Sequence, residues 1–157
     1  MNIFDVLASY GYFGIFLISL IGSSTIIFPI PSAAFVFATG ALLNPLLVGL
    51  FAGFGAAIGE FTGYALGLGG RRAIKKKWKG NINKVEKLFQ KYGGFLVITI
   101  FAATPLPDDI TGIVAGIIKY PARKFFLAVL IGKLILHIII AYAGLYGINW
   151  VLQYFGD

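Results

Sequence analysis

The chain has 157 residues, 59% of them hydrophobic and 12% charged, with a net charge of +7 and a mean hydropathy of +0.89. A soluble domain carries about a quarter charged residues, so this composition excludes an ordinary water-soluble domain and points to lipid as the solvent. The absence of cysteine excludes disulfides, thiolate metal sites and cysteine nucleophiles together.

The length suits a single membrane domain over residues 1–157. The start, Met1 to Asp5, has no basic n-region, so no cleaved signal peptide is expected. Residues 13–28 are apolar and fit either one arm of a hairpin or a span of their own. Pro29-Ile-Pro31 follows, then Gly40 and Pro45. Residues 46–69 form an apolar run of the length that a membrane-crossing helix needs, about 20 residues. Within it Gly55, Gly59, Gly63 and Gly67 recur every four residues, a ridge on which helices can approach closely. Glu60 stands beside them. A carboxylate in hydrocarbon costs roughly 3 kcal/mol, so it is expected to face protein or a wet cavity and is a functional candidate.

Nine of the thirteen basic residues fall between Arg71 and Lys91, where Glu86 is the only acid. Nucleic acid can explain a basic stretch, but this one separates membrane-length apolar runs and reads as a cytoplasmic connector over 70–91. Ile82, Val85, Phe89 and Tyr92 recur at helical spacing with Lys84, Lys87 and Lys91 elsewhere on the wheel. That pattern predicts an amphipathic helix lying on an anionic leaflet.

Residues 95–104 and 110–118 are each too short to span and flank Pro105-Leu-Pro107-Asp108-Asp109, so they predict a re-entrant hairpin. Lys119, Arg123 and Lys124 at its exit place that exit on the connector's side. Asp109 or Asp108 can cap the helix that starts at Ile110; two adjacent acids exceed what a cap needs. Residues 125–145 form a second span, followed by an interfacial segment over 146–157. Lys133 and His137 lie four apart on it and therefore share a face.

The sequence repeats itself. Pro29, Pro31, Gly40 and Pro45 match Pro105, Pro107, Gly116 and Pro121, every pair 76 residues apart, and Tyr10-Gly-Tyr-Phe13 answers Tyr92-Gly-Gly-Phe95. One hairpin plus one spanning helix crosses the membrane an odd number of times. The two copies, about 10–69 and 92–145, are thus expected to be inverted, an arrangement that builds a site near the midplane. Glu60, Asp108, Asp109, Lys133 and His137 are predicted to meet there. Enzyme signatures are absent: no His-Glu-x-x-His, no Walker loop, no Gly-x-Gly-x-x-Gly. Gly22-Ser23-Ser24 with His137 only loosely suggests a serine protease. Asp108-Asp109 lacks the further acids a divalent metal needs nearby. No enzyme, cofactor or metal is expected.

The run Gly59-Glu60-Phe-Thr-Gly63-Tyr64-Ala-Leu-Gly67 resembles the acidic helix motif of the DedA family, also called the SNARE-associated or VTT domain. The order that follows is similar too: a basic connector, Lys91-Tyr-Gly-Gly-Phe95, then a proline hairpin ending in Ala115-Gly116. Pro29-x-Pro31 to Gly40 resembles that family's first hairpin. The resemblance covers roughly residues 10–145. It implies two opposed re-entrant hairpins in the cell membrane and movement of lipid across it, whether phospholipid or polyprenyl phosphate. Family members usually carry an arginine before the second hairpin's proline and another three residues after it; here those positions are Ala102 and Asp108. The first hairpin's usual acid falls on Ala33, and an upstream acid is absent around Ser23 and Ser24. The chain thus resembles a short, Asp-bearing branch. The expected partners are membrane lipids, with no nucleic acid, and a homo-oligomer is compatible. A proton- or cation-coupled carrier of another small solute is the alternative, and a non-transporting assembly protein the third reading.

Overall fold

The computed structural model describes residues 3–24, 32–77, 79–105 and 109–155. Every regular element among them is a helix: α1 Ile3–Ser24, α2 Ser32–Leu42, α3 Pro45–Gly59, α4 Phe61–Gly69, α5 Arg71–Lys77, α6 Lys79–Tyr92, α7 Gly94–Ala102, α8 Asp109–Ile117 and α9 Ala122–Phe155. Of the hairpin residues, Pro29, Pro31 and Pro107 lie outside the described residues, as does Asp108.

Among the described residues, two helical stretches are long and apolar enough to cross a membrane: Pro45–Gly69, 25 residues comprising α3 and α4, and Ala122–Trp150, 29 residues of α9. They coincide with the runs read from sequence, and α9 continues without a break to Phe155. α7 and α8 have nine residues each, about 14 Å at the helical rise, under half the thickness of the hydrocarbon core. Residues 13–24 of the ambiguous N-terminal stretch belong to the 22-residue α1.

Local chemistry sets the boundaries. Asn44 starts α3: its side-chain oxygen accepts from the N–H groups of Leu46 and Leu47, with Pro45 in the first turn where a missing N–H costs nothing. The tight turn between α6 and α7 falls on Gly93, whose φ of 87° suits a residue without a Cβ. The chain leaves α8, which ends at Ile117, through Lys119, which adopts the left-handed conformation at φ 56°. The Tyr120 N–H donates to Ala115 O at 2.8 Å, closing the last turn.

Association in lipid is driven by packing rather than by the hydrophobic effect, and glycine contacts show how close it is. A Cβ on Gly55 or Gly59 would run into the α1 backbone at Phe16 and Leu20, and one on Gly67 into the α8 backbone at Ile113. Gly63 faces the start of α8 with room for a methyl, its nearest neighbour being Asp109 O at 3.6 Å. The ladder of four is therefore a packing ridge shared between two partners, α1 below Glu60 and α8 above it. Gly49 and Gly53, on another side of α3, press against Ile138 and Leu134 of α9.

Two apolar clusters result. One gathers Ala57, Ile82, Val85, Phe89, Val97, Ile113, Val114 and Phe125, with neighbours from α4 to α9. The other is Ile15, Val36, Val48, Ala52 and Ala141. The first corrects one expectation. Ile82, Val85 and Phe89 of α6 are buried in it, so most of that helix's apolar face is covered by protein instead of lying on lipid. Tyr92 alone of that set is more than half exposed.

Candidate functional site

α3 and α4 form one nearly continuous rod that changes character at Glu60. The backbone there stays helical, at φ −62° and ψ −19°, and the Tyr64 N–H still reaches Glu60 O at 3.3 Å. Glycines on either side weaken the helix. The Thr62 hydroxyl lies 2.9 Å from Gly59 O and 3.1 Å from Ser24 O, so it ties the loosened turn to the end of α1. Sequence and packing thus put Glu60 where α1, α3, α4 and α8 come together.

Its partner comes from the other long helix. Lys133 Nζ lies 2.9 Å from Glu60 Oε1, and both side chains are almost wholly buried, at 8% and 5% exposure. One turn on, His137 is buried as well, with Nδ1 2.8 Å from the Lys133 carbonyl oxygen. A carbonyl only accepts, so Nδ1 carries a proton, and in the neutral ring Nε2 is the acceptor.

The buried face of α9 makes the setting plain. At spacing four it runs Val129, Lys133, His137, Ala141. Val129 belongs to the first apolar cluster and Ala141 to the second. Lys133 and His137 lie between them, a polar layer dividing two dry regions. Removing two charges from water costs several kcal/mol each, and a buried pair recovers this only with good geometry. At 2.9 Å the geometry is good.

Of the five residues predicted to meet, the structure joins Glu60, Lys133 and His137. Asp109 opens α8, half-buried, and its backbone oxygen packs by Gly63, one turn from Glu60. Asp108 lies outside the described residues. Among the described residues no group of three His, Asp or Glu side chains could hold a metal ion.

Two further polar residues were not singled out in the sequence. Thr111 of α8 is buried, and Gly112 beside it lies 3.7 Å, by a notional Cβ, from Glu60 O. Ser19 of α1 is 1% exposed, and its hydroxyl has no hydrogen-bond partner among the described residues. It sits one turn beyond Ile15 on the face that meets α3. A single serine in an apolar helix carries no signal by itself; only burial exposes its unmet hydroxyl.

Comparison with known proteins adds two findings. The family described as the VTT domain matches residues 30–146, most of the chain and all of the polar layer. An uncharacterized protein of the archaeon Methanocaldococcus jannaschii is 30% identical over 139 residues, covering 85% of this chain and 83% of that one. No solved structure matches.

Proposed function

The chain belongs to the VTT domain family of membrane proteins, and from that premise we propose that it is a multi-pass transporter of the cell membrane that moves lipid across the bilayer. In this reading the pathway is a groove between two opposed re-entrant hairpins, and Glu60, Lys133 and His137 lie on it with Asp108 and Asp109. The observation that carries the proposal is the buried Glu60–Lys133 pair, which joins the two membrane-length helices at the seam between apolar clusters. Such a pair contributes little net stability, and ionisable groups at membrane depth mark substrate and ion pathways.

The internal repeat on which this reading rests has support in matching contacts. Gly67 abuts Ile113, and Gly144 abuts Phe37; Gly116 abuts Tyr64, and Gly40 abuts Ala141. In each pair the short-helix residues differ by 76 positions and the long-helix residues by 77. Gly55 against Phe16 and Gly132 against Thr99 extend the correspondence, again 77 apart on the long helices. Under that offset Glu60 and His137 occupy equivalent positions in the two halves.

One observation favours a second reading, a proton- or cation-coupled carrier: three titratable groups share one buried layer. Proteoliposomes carrying headgroup-labelled phospholipid or polyprenyl phosphate, assayed in parallel, separate the two. Lipid transport predicts scrambling by the wild type and its loss in Glu60→Gln with insertion intact. No scrambling of either lipid would refute it. A coupled carrier predicts instead proton flux that is lost or reduced in His137→Gln.

A further inference from the structure

An open cleft of about 650 Å3 on the basic connector is lined by Arg71, Arg72, Lys76 and Lys79. No acid lines it among the described residues, and Glu86 is the only acid anywhere between Arg71 and Lys91. The cations are not carried on a loose tail. Ile74 fastens α5 to the first apolar cluster, and Ile82, Val85 and Phe89 fasten α6 to the same cluster. Two anchored helices therefore gather four exposed like charges around one space, which raises the positive potential there and draws anions to it.

We propose that this cleft binds the phosphomonoester headgroup of an anionic membrane lipid. Position argues for a lipid: Arg71 follows the apolar stretch Pro45–Gly69 by two residues, so the cleft lies where that helix leaves hydrocarbon. Charge argues for a monoester. It carries about −1.5 to −2 with three acceptor oxygens, whereas a diester carries one charge that a single arginine fork satisfies. The site is separate from the Glu60–Lys133 pair and does not rest on the transport reading.

Native mass spectrometry of the purified full chain, titrated with phosphatidic acid, phosphatidylglycerol or phosphatidylcholine, tests the assignment. The wild type should prefer phosphatidic acid. A variant with Arg71→Gln, Arg72→Gln, Lys76→Gln and Lys79→Gln should bind it about ten-fold more weakly or worse. A control with Lys84→Gln, Lys87→Gln, Lys91→Gln and Lys119→Gln removes the same charge elsewhere and should lose no more than about three-fold. Equal losses in the two variants, or no preference for the monoester, would overturn the proposal in favour of general charge attraction. Displacement by millimolar inorganic phosphate would overturn it in favour of a soluble anion. Should the four-fold variant fail to accumulate, Lys76→Gln with Lys79→Gln replaces it; an about three-fold loss supports the site and unchanged affinity refutes it.

Discussion

Lys133→Met is the sharpest probe of the polar layer. It keeps a long flexible side chain and removes the ammonium 2.9 Å from Glu60 Oε1. Glu60 is 4% exposed, so the orphaned carboxylate has little access to water. Breaking a buried pair from one side costs about 3–5 kcal/mol, because the remaining charge is left uncompensated. Glu60→Gln is milder, since the amide still offers an acceptor oxygen to Lys133. What it loses is the charged component of the bond, about 2 kcal/mol. Combining the two removes both charges, and a buried pair exchanged for neutral groups is close to neutral in stability. The double variant should thus lie within about 1 kcal/mol of wild type, giving a coupling of at least about 4 kcal/mol. Equilibrium unfolding by steric trapping in bicelles measures all four corners of this cycle. Losses that add to within about 0.5 kcal/mol would show that the two groups do not hold each other, and the polar layer would lose its basis.

The glycine ladder makes a paired prediction in the same assay. Gly67→Ala drives a methyl into the Ile113 backbone and should cost about 1–3 kcal/mol, while Gly63→Ala, with its nearest neighbour at 3.6 Å, should stay within about 1 kcal/mol of wild type. Lys119→Gly should raise the thermal midpoint, gaining about 0.5–1 kcal/mol by releasing a side chain from the left-handed conformation; Lys119→Ala, which keeps its Cβ, should not. Single cysteines at positions 44 and 120, in a chain with no native cysteine, should react with an impermeant reagent from opposite sides of the membrane. Labelling of both from one side would rule out the inverted topology.

The long helices and the half-length ones were legible because apolar run length and proline position encode them directly: the spans read as 46–69 and 125–145 are Pro45–Gly69 and Ala122–Trp150, and the arms read as 95–104 and 110–118 are α7 and α8. What lies across a helix is not encoded that way. The spacing of Gly55 to Gly67 announces a ridge but cannot say that it changes partner at Glu60. The period of Ile82, Val85 and Phe89 announces an apolar face without distinguishing lipid from α7 and α8. For the same reason charge and depth grouped Glu60, Lys133 and His137, while the specific bond, Lys133 to Glu60, needed the fold.

The division of the interior by Lys133 and His137 has a mechanical side. A single oily core resists sliding because every displaced side chain must find a new niche at near-crystalline density. Here two such clusters meet at a polar stratum that holds the Lys133–Glu60 ion pair, and both α3 and α9 run through it, Ala57 and Val129 on one side, Ala52 and Ala141 on the other. Any tilt of one cluster against the other is therefore expected to strain the polar contacts of the stratum, such as the 2.9 Å Lys133–Glu60 bond, before it opens either close-packed cluster.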